Sequence, residues 1–573
     1  MLLHLLVLAP FVAAILMVAT SKEDSKSSSR LAFLFGVTFF ALSIALVAGG
    51  NQATEAIEWF RIPGCKGPVF YYLYSHGLGA WLVFLSCGLS LVALVTARNT
   101  FHKNYRNFAI GIFSLMGAMN GTFLSADAVL FFFFFEAMVI PAAVMIAGFG
   151  GKEKTKAAMT FAIYTLVGSA PMMVALWYLL TVADNSLLLS LAIALQSLPA
   201  STQFLILLSF LLAFLVKTPI FPFHGWQAIT YAEAPAPLSA ILTGAMSKAG
   251  VFGFIAWILP IFPLSMTTVN VMLWLGLVTA VYGGLMALRA NDSKKLLAFS
   301  SMSHLGLAVA GVFSLSEAML PAVLVLLIAH GISAGAQFFL MGIAERMTGT
   351  RDINLMGGLA SRNPVFSTLF GFAAIMALAI PGTAGFVGEF TVLLSIWDMG
   401  PLPAVVAGFC LILSAAYMLR FVQKVIFGKA AREYEDGTRM TALEGSSIGV
   451  MVVLLLAFGF HPSCITTSLH LFDEDAIEEM SKLSGHDMNE AVTADSSNVE
   501  GIEADASSVE STEGSEASEN ASEEVRPMKE DELRQLDSTL AAAGFDEKER
   551  ASIIQQMNAT DAEQANAEAT ENE

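Results

Sequence analysis

Cysteine is almost absent: Cys65, Cys87, Cys410 and Cys464 are the only four in 573 residues. They lie far apart with no CxxC spacing, which argues against iron–sulfur clusters, zinc sites and a disulfide framework. Charge is scarce as well, at 14% of residues against 55% hydrophobic. Most of the chain therefore lacks the polar surface that a water-soluble domain must show. No GxGxxG follows a strand and no Walker sequence occurs, so nucleotide binding is not expected, and neither is nucleic-acid binding. From Met1 to Thr20 the only ionisable side chain is His4. Without a basic n-region that stretch reads as a first membrane span rather than a signal peptide.

What the sequence has is long apolar runs, from Met1 to about His470, with a mean hydropathy of +0.66 for the chain. Each run reaches the roughly 20 helical residues that cross a hydrocarbon core. They are continuous rather than alternating, which predicts helices and not a barrel. The expected fold is an all-α membrane protein of about fourteen spans, near 1–20, 31–50, 76–97, 107–125, 128–149, 157–182, 203–223, 237–259, 268–289, 295–314, 319–345, 365–397, 402–427 and 445–468. The net charge of −18 conceals two regions. Of the 48 acids, 29 fall from Asp473 onward with only 6 of the 30 bases, which leaves 19 acids and 24 bases before it. Twenty of those 24 bases occupy one alternate set of loops, around Lys26, Arg98, Lys154, Arg289, Arg351 and Arg420, while the opposite loops hold only Arg61 and Lys66. That bias places the basic set in the cytoplasm and both termini on the outer side, which in a bacterial inner membrane is the periplasm.

Six titratable residues fall inside the spans: Glu136, Lys217, Lys248, His304, His330 and Glu389. A lone charge at mid-bilayer costs from about 3 to over 10 kcal/mol, so each needs a partner or a task. A lysine near a span end is able to snorkel, a glutamate to act as polar glue between helices, and a histidine to serve as a hydrogen-bonded packing residue. Taken together, acid, base, base, His, His and acid on six spans predict a polar file that passes protons or small cations between groups of converging proton affinity. Two spans are also interrupted beside a buried charge. Pro219, Pro222 and Gly225 follow Lys217, and Pro381, Gly382, Gly385 and Gly388 precede Glu389. Proline removes a backbone donor and glycine permits unwinding. Broken spans 7 and 12 point to two inverted five-helix repeats, a transport architecture.

FFFFFEAMVIPA, VKTPIFPFHGW, the EAP segment at Glu233, TGAMSKAGVFGF, DSKKLLAFSSMSHLG, AHGISAGAQFFLMG and PGTAGFVGEF resemble the motifs of the antiporter-like subunits of respiratory complex I, most closely the chain M family, the counterpart of mitochondrial chain 4. The resemblance covers about residues 1–470. It implies a proton-translocating membrane-arm subunit of an NADH–quinone oxidoreductase, beside chains of the L and N type, driven by quinone chemistry elsewhere. Such a subunit has no cofactor and no redox centre of its own. By the same resemblance Glu136 is the pump glutamate, Lys217 the pump lysine, Lys248 the relay lysine, His304 and His330 relay groups, and Glu389 the terminal acid where chains L and N usually have lysine. An Mrp-like cation/proton antiporter or a related module is the alternative, and a scaffold with an inactive channel is a third; all four buried carboxylate and lysine groups are present, which speaks against the last. The sequence departs from the family in two places. After His224-Gly225-Trp226 the family pattern Leu-Pro-Asp-Ala-His is replaced by Gln227, Ala228, Ile229, Thr230 and Tyr231. The second departure is the tail. The expected division is 1–472 transmembrane, 473–528 acidic linker, 529–560 a small helical module around Leu533, Leu536, Leu540 and Ile553, and 561–573 a disordered terminus with no identified partner. Low hydrophobicity and high charge predict disorder for most of it.

Protease added to the outer face of intact spheroplasts is expected to remove the tail and spare the body. Cleavage of the tail only in inverted vesicles would reverse the assigned topology.

Overall fold

The computed structural model describes residues 1–20, 25–101, 104–428 and 439–467. The segments expected as acidic linker, helical module and disordered terminus lie outside the described residues. Among the described residues, twelve helices are long and apolar enough to cross a membrane: Lys26–Ala48, Gly77–Thr100, Tyr105–Leu124, Ala128–Phe149, Lys154–Val182, Ala200–Lys217, Ala236–Ile261, Met266–Arg289, Ser293–Val312, Met319–Thr348, Pro401–Val425 and Ala442–Phe460. Three shorter apolar helices, Leu2–Val18, Pro364–Ala377 and Ala384–Trp397, complete the set. The protein is an all-helical, multi-pass membrane protein. The last span was expected to run to residue 468; its helix ends at Phe460, because Pro462 disfavours helical backbone at His461.

Side chains fix where the helices begin. Asp127 accepts from the Val129 and Leu130 amides at 2.9 and 3.0 Å, and Asp292 from Lys294 and Lys295 at 3.0 and 3.1 Å. Thr441 and Glu444 form a reciprocal capping box. The Glu444 carboxylate also takes both Arg346 nitrogens at 2.9 Å, a two-pronged pair that ties the Met319–Thr348 helix to the Ala442–Phe460 helix. The connection between the second and third spans, which hydropathy leaves undescribed, is a small antiparallel ribbon pairing Ile57–Arg61 with Pro68–Tyr71 and Gln52–Ala53 with Tyr74–Ser75. Asp127 holds it down by accepting from the Phe70 amide at 2.9 Å and from the Ser186 hydroxyl.

Helix Ala236–Ile261 is buried along its length at the middle of the bundle. Large apolar side chains such as Ile140, Val167, Phe204, Ile412 and Val453 point outward from peripheral helices, as lipid requires. Two segments of the central helix, Leu242–Met246 and Phe254–Ile258, are π-helical and flank Lys248. Such bulges recur at functional sites because they rotate the residues beyond them relative to the helix before them. The central helix crosses helix Met319–Thr348 at Gly244 and Gly331. A Cβ on Gly331 would lie 2.7 Å from the Gly244 carbonyl oxygen, and one on Gly244 would lie 2.9 Å from that of Gly331. Small residues thus let two backbones touch, as is usual between membrane helices. The crossing lies one residue from His330 and about one turn from Lys248.

Gly331→Ala is expected to cost about 1–3 kcal/mol by overpacking and to separate Lys248 from His330. Gly371→Ala, at a position where a Cβ meets nothing within 4 Å, is its neutral control. Unfolding of the purified protein in increasingly harsh detergent reads the difference; equal stability of the two variants would show that the crossing is not tight.

Candidate functional site

Helix Ala200–Lys217 ends on Lys217, and the chain does not resume helical geometry until Gln227. Pro219 and Pro222 account for the break. The Trp226 indole donates to the Val216 carbonyl at 2.9 Å and ties the far side of the break to the helix end. Lys217 is 2% exposed. Its Nζ donates to the Phe135 carbonyl at 3.3 Å and sits 4.5 Å from the centre of the Phe135 ring. Glu136 is the next residue. No ion pair within 4.0 Å joins the two charges. Neither Glu136 carboxylate oxygen has a hydrogen bond among the described residues, and Lys217 and Ser169 are the polar groups whose fields reach it. A charged hydrogen bond is worth about 1.5–3 kcal/mol, a desolvated cation–ring contact about 2, and a helix C-terminus up to about 2. Together these only roughly offset the several kcal/mol that burial of an ammonium costs. The charge on Lys217 is therefore sensitive to small movements of Glu136.

Lys248, His330, His304 and Glu389 form a file on four helices, hydrogen-bonded at its two ends and joined by ring stacking at its centre. Lys248 has no exposed surface. Its Nζ donates to the Thr243 carbonyl at 2.6 Å and lies 2.8 Å from His330 Nδ1. The His330 and His304 rings stack with centroids 5.1 Å apart. His304 Nε2 lies 3.0 Å from Glu389 Oε1. Glycine again sets the distance: a Cβ on Gly388 would lie 2.6 Å from the Leu326 backbone, so the Glu389 helix lies flush against Met319–Thr348.

Hydrogen counting gives this file its chemistry. His304 Nδ1 lies 2.8 Å from the Ser300 carbonyl, which only accepts, so Nδ1 carries a hydrogen. One further proton then serves both Nε2 and the Glu389 carboxyl, either as imidazolium with carboxylate or as imidazole with carboxylic acid. One proton likewise serves Lys248 Nζ and His330 Nδ1, as ammonium with a ring lone pair or as amine with a ring N–H. Two positive rings at the stacking distance would repel by about 3 kcal/mol at an effective dielectric constant of ~20. A proton arriving at one pair therefore disfavours charge on the other.

The basic loops surround a cavity of about 720 Å³ lined by Glu233, Lys294, Glu345, Arg346 and Arg351 among others. Lys294 pairs with Glu345 at 3.0 Å. The Glu233 carboxylate accepts from the Glu153 amide at 2.8 Å and from Arg351 at 3.1 Å. Burial pushes the Glu233 carboxyl up, but the Glu153 amide and the Arg351 guanidinium outweigh it and hold the group below the usual range.

Five of the six residues singled out in the sequence are thus buried in the bundle, and Glu136 is half-buried with both carboxylate oxygens inside. Four of them form one contact file; Lys217 and Glu136 form a second, looser group. Phe131, Phe135, Phe214, Phe252 and Phe254 pack around and beyond Lys217, with Phe214 and Phe254 centroids 5.7 Å apart. Thr218 touches the position of Gly250 across this boundary. Sequence reasoning missed the hydroxyl lining: Thr243 donates to Ser301 at 2.7 Å, and Ser300 pairs with Tyr417 at 2.9 Å. Ser300 and Ser301 stand one helical turn from His304, which could have signalled them; Tyr417 lies on a helix distant in the chain and carried no such signal.

Residues 125–414 match the family described as "NADH:quinone oxidoreductase/Mrp antiporter, TM". NADH-quinone oxidoreductase subunit M of Rhodobacter capsulatus is 31% identical over 482 residues, 81% of this chain and 94% of that one. A chain in the structure of respiratory complex I from Thermus thermophilus with bound NADH superposes with a TM-score of 0.74 at 30% identity, over 82% of this chain and 97% of its own length. A chain of the Mrp complex from Dietzia sp. DQ12-45-1b shares the fold, with a TM-score of 0.72 at 21% identity over 82% of this chain and 53% of that one. With this match over half of its residues and this likeness along four fifths of its length, the chain belongs to the NADH:quinone oxidoreductase/Mrp antiporter transmembrane family.

Proposed function

We propose that this chain is a proton-translocating membrane-arm subunit of an NADH–quinone oxidoreductase, working beside other antiporter-like chains in the inner membrane of a bacterium. The observation that carries this reading is the file Lys248–His330–His304–Glu389, in which adjacent polar groups lie within contact and one proton serves each bonded pair. A packing role does not need a titratable group at every step. Counting Leu2–Val18 as a span and Pro364–Ala377 with Ala384–Trp397 as one interrupted span gives fourteen, with both termini on the outer side. The cavity at Glu233 then opens to the cytoplasm. Lys217 and Glu136 receive the proton; as the carboxylate moves, the balance of terms on Lys217 tips and its proton passes on. Thr218 lies between the two lysines. Arrival at Lys248 raises the positive charge beside His330, and repulsion between the stacked rings drives the shared proton of His304 onto Glu389.

The quinone chemistry that powers these movements belongs to other subunits; four scattered cysteines offer no cluster ligands, and we place no redox centre in this chain. The family relatives that share the greater identity bear the name subunit M, and Glu389 stands where the lysine of the antiporter-like alternatives would be expected, so proton translocation within the oxidoreductase is favoured over cation exchange. The acidic tail is assigned no part in translocation.

In proteoliposomes holding the whole complex, Glu136→Gln is expected to leave assembly intact and to abolish the protons pumped through this subunit for each quinone reduced. An unchanged ratio of protons to quinone would refute the role of Glu136.

A further inference from the structure

The short helix Gln227–Glu233 is where the sequence leaves the family pattern, and the translocation path above does not use it. It is also where buried polar atoms lack partners. Among the described residues, both polar atoms of Gln227 have no hydrogen bond, nor do Thr230 Oγ1, Ser293 Oγ, Thr218 Oγ1 and His224 Nδ1. Gln227 is 1% exposed and Thr230 and Ser293 are fully buried. An unbonded buried amide or hydroxyl costs about 1–3 kcal/mol, and native interiors relieve that cost with internal water. Gln227 and Thr230 are three residues apart, hence on one face of a single helical turn. That helix packs on Ser293–Val312, whose first residue is the orphaned Ser293.

The orphans connect two points already described. At one end, Glu233 closes the helix at the cytoplasmic cavity. At the other, the Tyr231 hydroxyl donates to the Leu242 carbonyl at 3.1 Å and has Gln227 and Ser247 as its side-chain polar neighbours. The Gln227 amide is a side-chain neighbour of this hydroxyl, yet neither of its polar atoms has a hydrogen bond among the described residues. Ser247 donates to the Thr243 carbonyl at 2.8 Å, and the same carbonyl accepts from Lys248 Nζ. Polar groups therefore run from Glu233 past Thr230 and Gln227 to Tyr231, Ser247, Thr243 and Lys248.

We propose that Gln227, Thr230 and Tyr231 hold a water-filled branch that carries protons from the cytoplasmic cavity to Lys248, which accepts them only after Glu136 and Lys217 have exchanged their own proton. This rests on the proton-translocating reading above. None of the three side chains gains or loses charge at neutral pH, so they position water rather than relay through a titrating group, and Tyr231 occupies the place of the histidine in the family pattern. Transfer along such a branch moves a proton from water to water and deposits it on the Lys248–His330 pair, with no bond made or broken elsewhere. Gln227, Thr230 and Tyr231 are positioning residues by this account.

Two measurements on the whole complex test it. First, with the four native cysteines replaced by serine, Thr230→Cys is exposed to silver ion from the cytoplasmic face of inverted vesicles; silver is small enough to follow water and reacts with a thiol. Reaction is expected. No reaction, while a cysteine at the exposed Lys152 reacts, would overturn the branch. Second, Gln227→Met keeps the side-chain shape without hydrogen bonding, and Gln227→Glu keeps the shape and two oxygens that hydrogen-bond water. Proton uptake during turnover is expected to slow about tenfold in Gln227→Met, the equivalent of about 1.4 kcal/mol, and to be largely retained in Gln227→Glu. Equal loss in both variants would mean packing and would overturn the proposal, as would no loss in either. Normal pumping by Glu136→Gln would instead remove the translocation reading itself, and the silver reaction, which does not depend on pumping, separates that failure from failure of the branch.

Discussion

Lys248 Nζ and His330 Nδ1 lie 2.8 Å apart, and one proton serves both. The rest of the interior is arranged so that this contact persists. Gly244 and Gly331 let the two helices touch, π-helical segments on either side of Lys248 reshape the central helix, and the Thr243 carbonyl accepts the ammonium. A fully buried ammonium is costly, so the contact is strong evidence of selection for chemistry rather than stability. The stacked His304 ring extends the same constraint to Glu389. Charge on one ring opposes charge on the other, so the two bonded pairs are electrostatically linked.

The Lys217 side is built differently. The lysine rests on a carbonyl and on the Phe135 ring face instead of on a carboxylate, and Phe214 packs on that ring with Phe131 and Phe254 beyond it. Dense apolar packing between the two lysines separates the halves, and the orphaned Thr218 hydroxyl is the polar group at that boundary.

Much of this was legible in the sequence because a charge in an apolar run is so costly that it announces itself: Glu136, Lys217, Lys248 and Glu389 needed no structure to be found. The breaks after Lys217 and before Glu389 were legible for the same reason, since proline and glycine act locally. Hydroxyls carry no such signal. Thr243, Ser300, Ser301 and Tyr417 are neutral, short or amphipathic, and common in membrane helices, so only the fold shows that they line the file. The Arg346–Glu444 pair was hidden because its partners are 98 residues apart. The ribbon over residues 52–75 was hidden because its strands are short and its exposed face, with Ile57, Trp59 and Phe60, breaks the usual alternation.

The central claim is that Glu389 and His304 share a proton whose position depends on Lys248. Infrared difference spectra of the complex, taken between resting and NADH-driven turnover, report the carbonyl stretch of a protonated carboxyl group. The account predicts a turnover-dependent band, shifted in deuterium oxide, that is absent in Glu389→Gln and also lost in Lys248→Met. A band assigned to Glu389 that persists unchanged in Lys248→Met, or a carboxylate that stays ionised throughout turnover, would contradict it.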